Sequence, residues 1–98
     1  MAEVTVVWWR DIPAQVIGGR GRGAKKIVLS DRFQEAIDTA ATRIGLIGTD
    51  EYLAEWKRET RSVGDDVESA AVALAERFED EFSDERLNEL AGNGGFAS

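Results

Sequence analysis

The sequence predicts an α+β fold, because strand-like segments come first along the chain and helical segments follow. Residues 4–29 contain three short apolar runs, rich in β-branched and aromatic residues and separated by turn residues. After Ser30, apolar residues recur at helical spacing instead. We therefore expect a small antiparallel β-sheet of about three N-terminal strands, followed by three to four helices packed on one face. A length of 98 residues favours a single domain.

The first predicted strand, Val4–Trp9, is apolar on both faces and should be central in the sheet. Alternation places Trp8 on the same face as Val4 and Val6, so we expect Trp8 in the core. The same pattern does not decide whether Trp9 lies in the core or at the surface.

The next two predicted strands, Ala14–Ile17 and Lys25–Leu29, flank a loop of glycine and arginine. Four of the six residues from Gly18 to Gly23 are glycine, which disfavours regular structure. This loop carries Arg20 and Arg22. We expect a plain flexible turn with solubilising arginines, and the alternative is a contact for a partner or an anion.

The first predicted helix begins at the N-cap Ser30 and ends at Gly45. Thr49 should cap a second helix through Glu59, followed by a connection over residues 61–64. An apolar stripe marks the first helix, and a shorter one marks the second: Phe33, Ala36, Ile37, Ala40, Ala41 and Ile44, then Tyr52, Leu53 and Trp56.

The last two helices are predicted from their caps. Asp65 and Glu68 form a capping-box pattern at the start of the third helix, which continues to about Phe82. Ser83 should cap a short fourth helix that ends at Gly92 and buries two leucines, and residues 93–98 should form a frayed tail.

Composition excludes several kinds of chemistry. The chain has no cysteine and no histidine, which excludes disulfides, thiolate nucleophiles, Cys/His zinc sites and imidazole bases. We therefore expect no enzymatic activity, no catalytic residues, no metal and no cofactor. The N-terminal residues do not resemble a secretory signal and no apolar run could span a membrane, so a cytoplasmic protein is expected.

The net charge of −7 is unevenly distributed, with a basic segment from residue 10 to 26 and an acidic one from residue 65 to 90. This balance argues against general nucleic-acid binding. Two solvated faces of opposite sign would explain it, and so would a charged binding surface at the basic end. The residues predicted for such a surface are Trp9, Arg10, Asp11, Gln15, Arg20 and Arg22. Arg10 and Asp11 could instead pair with each other and stabilise the turn before Pro13.

The string W-R-D-I-P-A-Q-V at residues 9–16 resembles the start of a family of small bacterial virulence-factor domains. Further similar segments are S-D-R-F at residues 30–33, Y-L-A-E-W at 52–56 and L-A-G-N-G-G at 90–95. The resemblance implies an accessory role rather than a reaction, and it implies no catalytic residues. It also implies a setting near corrinoid- and folate-dependent methyl transfer.

Three functions follow as hypotheses. The first is a non-enzymatic protein-interaction domain with an unidentified protein partner. The second is a small-molecule or anion-binding accessory module that uses the basic Gly/Arg loop. Nucleic-acid binding is the third, and the acidic balance disfavours it.

Overall fold

The computed structural model describes residues 2–19, 23–64 and 66–96. It confirms the predicted α+β class, with a four-stranded antiparallel sheet and four helices. Within these residues, no helix combines the length and the apolar character needed to cross a membrane. The elements in chain order are β1 (Ala2–Trp9), β2 (Ile12–Gly18), β3 (Lys25–Val28), α1 (Asp31–Arg43), α2 (Asp50–Ala54), β4 (Trp56–Val63), α3 (Val67–Glu81) and α4 (Asp84–Gly92).

The sheet has the strand order β3-β2-β1-β4, so β1 is interior, as its two apolar faces predict. The fourth strand was not expected. The predicted second helix ends at Ala54 instead of Glu59. Strand β4 takes up Trp56–Glu59 and also residues 61–63 of the predicted connection. Since β4 is an edge strand with mostly exposed side chains, it lacks the apolar alternation that would reveal a strand.

A β-bulge interrupts the pairing of β1 with β2. Val7 lies opposite Gln15, whereas Trp8 lies opposite Pro13, which leaves Ala14 as the additional residue. The Ala14 carbonyl accepts a hydrogen bond from the Leu29 backbone N–H at 3.1 Å, just beyond β3. The bulge accommodates Pro13, which has no N–H to contribute to a regular ladder.

Helix α3 packs across one face of β1, β2 and β3. The fully buried side chains of Val4, Val6 and Val16 lie on this face, and Trp8 adds an edge-to-face contact with Phe78 at 5.5 Å. Gly18 permits the close approach of α3, because a Cβ there would lie 2.9 Å from Cγ1 of Val67.

Helix α1 is joined to α3 through polar contacts at its first turn. Ser30 makes no side-chain cap; its backbone N–H and hydroxyl instead donate to the Glu79 carboxylate at 2.7 and 2.8 Å. Arg32 adds an ion pair to the same carboxylate at 3.0 Å. Partial burial alone would raise the pKa of Glu79, but the hydrogen bonds from Ser30 and Arg32 together lower it below its ordinary value.

The other helix termini follow the predictions more closely. Thr49 and Ser83 cap α2 and α4 through their hydroxyls, and α4 ends at Gly92 as predicted. The cap of α3 is Asp66, which accepts from the Ser69 backbone N–H, whereas the predicted cap, Asp65, lies outside the described residues. The hydrogen bonds from Ser69 also lower the pKa of Asp66.

Candidate functional site

The turn between β1 and β2 places Arg10 in an unusual backbone conformation. Its φ of +56° makes it the non-glycine residue with a positive φ among the described residues. Left-handed backbone costs a residue with a Cβ about 1–2 kcal/mol, so the surrounding contacts must offset that cost. Its side chain, only 12% exposed, is folded into the protein and makes those contacts.

The Arg10 guanidinium is enclosed by the segment that follows α4. Nη1 donates to the Gly94 carbonyl oxygen at 2.8 Å, and Cζ lies 4.4 Å from the centre of the Phe96 ring. It also lies 5.1 Å from the Trp9 ring. Nε is 3.3 Å from the Glu55 carboxylate, close enough for an ion pair but not aligned for a hydrogen bond. We name Trp9, Arg10, Glu55 and residues 94–96 the Arg10 cluster.

Trp9, one of the predicted partner-binding residues, is fully buried inside this cluster. Its indole N–H donates to the Tyr52 carbonyl oxygen at 3.0 Å. The backbone of Gly95 lies against its ring, where an added Cβ would come within 2.7 Å of Cζ3. Trp8, predicted as the core residue, is half-buried. Trp9 is the deeper of the two because α2 and the segment after α4 cover it.

As far as Phe96, the segment after α4 therefore does not form the frayed tail that was predicted. Gly94 and Gly95 are buried, with φ of +70° and +95° that favour glycine. The Gly95 carbonyl accepts a hydrogen bond from the Asp11 backbone N–H at 2.8 Å. The W-R-D string and the G-N-G-G string thus contact each other, which gives both a structural role. Residues 97 and 98 lie outside the described residues.

On the face of the sheet opposite α3, helix α2 packs near Trp9. There Tyr52 contacts both Trp9 and Trp56, with ring centres 5.7 and 6.2 Å apart. Beyond these aromatics, the strand register places two rows of side chains side by side on this face. We call them the open sheet face: Arg58, Val7, Gln15 and Val28 in one row, and Thr60, Thr5, Ile17 and Lys26 in the other.

The open sheet face contains a shallow depression of about 470 Å³, lined by Val7, Gln15, Trp56, Lys57 and Arg58. Within it, Oε1 of Gln15 is buried and has no hydrogen-bond partner among the residues that the structure describes. A buried acceptor without a donor is costly, so a group bound here would gain by supplying one. Val28 is 70% exposed on the same face, which adds accessible apolar surface. Both charged residues of the two rows, Lys26 and Arg58, are cations.

The structure therefore divides the predicted site residues between two places. Trp9 and Arg10 belong to the Arg10 cluster, and Asp11 is bonded to it through its backbone. Gln15 lies on the open sheet face. Arg20 and Arg22 lie outside the described residues, so the predicted binding role of the Gly/Arg loop stays a prediction.

Sequence reasoning missed the contribution of β4 to the open sheet face. Every second residue from Trp56 lies there, because Trp56, Arg58 and Thr60 pair with Trp9, Val7 and Thr5. This period of two was the available signal for a strand, but it was weak because Trp56 is the one apolar side chain of the three. In the described part of the chain, no cluster of three or more acidic side chains is placed to hold a metal ion.

A family model described as "Virulence factor" matches residues 7–91, from the end of β1 to the last turn of α4. No curated protein and no solved structure matches the chain. The matched region includes the Arg10 turn, Gln15 and all of β4. The chain belongs to the virulence-factor family.

Proposed function

We propose that this chain is a non-enzymatic protein-interaction domain of a bacterial cytoplasmic protein, and that it binds its partner through the open sheet face. The observation that carries the proposal is Oε1 of Gln15, a buried acceptor to which no described residue donates, beside the half-buried Trp56. A partner that placed a donor on Gln15 and an apolar group over Trp56 would satisfy both.

The shape and charge of the face support a protein partner rather than a small molecule. The depression is shallow and lies on an otherwise flat sheet, whereas small-molecule sites are concave and enclose most of the ligand. Arg58 and Lys26 favour an acidic surface on the partner. The absence of histidine and cysteine from the sequence supports the non-enzymatic part of the proposal.

The family resemblance supplies the proposed metabolic setting, an accessory role beside corrinoid- and folate-dependent methyl transfer. This part rests on the resemblance alone. The proteins captured in the experiment below test it, because methyl-transfer proteins should be among them.

The proposal is tested by affinity capture from native cell lysate at low salt, read by mass spectrometry. The wild type is compared with Arg58→Glu, which reverses a charge on the open sheet face. Arg43→Glu is the matched control, since it makes the same change in charge at an exposed position of α1. We expect a stoichiometric partner that the wild type and Arg43→Glu retain and Arg58→Glu loses.

Two results would overturn the proposal. One is the absence of a reproducible partner at low salt. The other is equal capture by wild type and Arg58→Glu, which would place the partner elsewhere on the molecule. A Gln15→Ala variant then refines the position, because it removes the unpaired acceptor and keeps the surface charge.

A further inference from the structure

The outer edge of β4 is available to pair with another strand. β4 is the last strand of the sheet on its side and has eight residues. Apart from its ladder with β1, none of the backbone hydrogen bonds found in the described residues involves positions 57–63. An edge of this length is a template for strand pairing unless its side chains prevent it.

The side chains of β4 are complementary to a second copy of the same strand. Glu59 and Arg61 lie two residues apart on one face, with Arg61 Nη2 and Glu59 Oε1 at 2.9 Å. Antiparallel pairing about a two-fold axis at Thr60 would place Glu59 opposite Arg61 of the second copy, and Arg61 opposite Glu59 of the second copy. Each dimer would then gain two cross-strand pairs of opposite charge.

Neighbouring registers lack this complementarity. An axis at Glu59 would place two glutamates opposite each other and Lys57 opposite Arg61. An axis at Arg61 would place two arginines opposite each other. The Thr60 register instead places Arg58 opposite Ser62 and Lys57 opposite Val63, so no like charges face each other. Like charges directly opposite destabilise a pair of strands, so the charge pattern selects the Thr60 register.

The helices leave space for the second strand. α3 packs mainly on β1, β2 and β3, and it meets β4 on one face of the sheet, where Cζ of Arg61 lies 5.9 Å from the centre of the Phe78 ring. α2 contacts β4 as well. α2 ends at Ala54, two residues before β4 begins, whereas Thr60 and Ser62 are exposed further along it. A strand centred on Thr60 would therefore meet the free part of the edge.

We propose that this protein forms a two-fold homodimer in which β4 pairs antiparallel with β4 of a second copy about Thr60. The two four-stranded sheets become one sheet of eight strands. The two open sheet faces then form one continuous surface.

The first test measures mass by light scattering and sedimentation over low- to high-micromolar concentrations. The wild type should approach twice its 10.8 kDa chain mass. Glu59→Arg and Arg61→Glu should each weaken the dimer about tenfold or more, because two attractive pairs become two repulsive ones. An equimolar mixture of the two variants should recover a dimer, since both cross-strand pairs of the mixed dimer again join opposite charges. Circular dichroism confirms that each variant is folded.

The second test uses the absence of native cysteine. Across the two-fold axis, Thr60→Cys brings two Cβ atoms about 4.5–5.5 Å apart, close to disulfide geometry. The control Ser62→Cys is equally exposed, but its two copies would be about 13 Å apart along the strands. Mild oxidation should cross-link the first variant and not the second.

The proposal is overturned if the wild type remains a monomer at every concentration. It is equally overturned if both cysteine variants cross-link at the same rate, or if the mixed charge variants stay monomeric. These outcomes are independent of the proposed partner on the open sheet face, which the lysate capture tests separately.

Discussion

The eight-residue string W-R-D-I-P-A-Q-V contributes residues both to the Arg10 cluster and to the open sheet face. The two regions differ in burial and in how their polar groups are hydrogen-bonded. In the cluster, Trp9 is fully buried, and its indole N–H and the Arg10 guanidinium both donate to backbone carbonyls. Six residues further on, Gln15 lies on the open sheet face, where its buried Oε1 has no donor among the described residues. A distinctive string can therefore contain both a stabilising element and a candidate binding element.

The largest expected difference between the two regions is in the unfolding free energy that is lost when a tryptophan of each is replaced. Trp9→Ala should lower the free energy of unfolding by about 3–5 kcal/mol, because it removes a fully buried side chain. Trp56→Ala should cost less than about 2 kcal/mol, since its side chain is only partly buried. Urea denaturation monitored by far-UV circular dichroism measures both. Equal losses would contradict the division into a buried and an open region.

The next effect tests the glycine that closes the Arg10 cluster. Gly95→Ala should cost about 2–4 kcal/mol, because it combines a positive φ with a Cβ in contact with the Trp9 ring. Gly48→Ala is the matched control, with a φ of +80° and no atom within 4 Å of the added Cβ. The control should cost only about 1–2 kcal/mol, the backbone part of the effect. Thermal and urea unfolding compare them, and identical losses would show that the Trp9 contact contributes nothing.

A smaller difference in stability loss is expected between substitutions of Arg10 and of Arg58. Arg10→Lys keeps the charge but loses the guanidinium geometry between Gly94 and Phe96, and should cost about 1–2 kcal/mol. Arg58→Lys on the open sheet face should stay within about 0.5 kcal/mol of wild type. The same denaturation curves test the pair. A costly Arg58→Lys would mean that the open face also stabilises the fold.

The smallest effect is pH-dependent and lies outside both regions. Hydrogen bonds lower the pKa of Glu79 in the folded state, so its contribution is complete above the ordinary value of 4.5 and is lost as the pH falls through the lower folded-state value. Because this side chain is 35% exposed, solvent screening keeps the effect below about 1 kcal/mol. Glu79→Gln should therefore flatten the acid side of the stability curve, measured by urea denaturation between pH 3 and 6 (about the range of carboxyl titration). Asp80→Asn, an exposed neighbour, is the control and should change that slope less.

The sequence predicted the elements whose signals are local. The apolar stripe of α1, the caps Thr49 and Ser83, and the interior position of β1 all follow from residues within a few positions of each other. Strand β4 was not predicted, because an edge strand with exposed charged residues has little apolar alternation. The spacing of Tyr52, Leu53 and Trp56 also fitted a longer helix.

The burial of Trp9 could not be predicted from its own strand. Alternation correctly placed it opposite Trp8, but the depth of burial depends on what covers each face. The covering residues are Tyr52 and Gly95, which lie 43 and 86 positions away in the chain. For the same reason, a segment of small residues after α4 looked like a free tail although Arg10 binds its backbone. Long-range contacts of this kind leave no periodic signal.

The hydrogen bond from Arg10 to Gly94 spans 84 positions, and this separation has a consequence during translation. The ribosome completes the β1–β2 turn long before it synthesises the carbonyl groups that this turn requires. Until residues 94 and 95 emerge, the left-handed backbone of Arg10 lacks those partners and Trp9 lacks part of its cover. A nascent chain can form local helices early, but it cannot complete this core until Gly94 and Gly95 have left the ribosome, because such distant contacts form late.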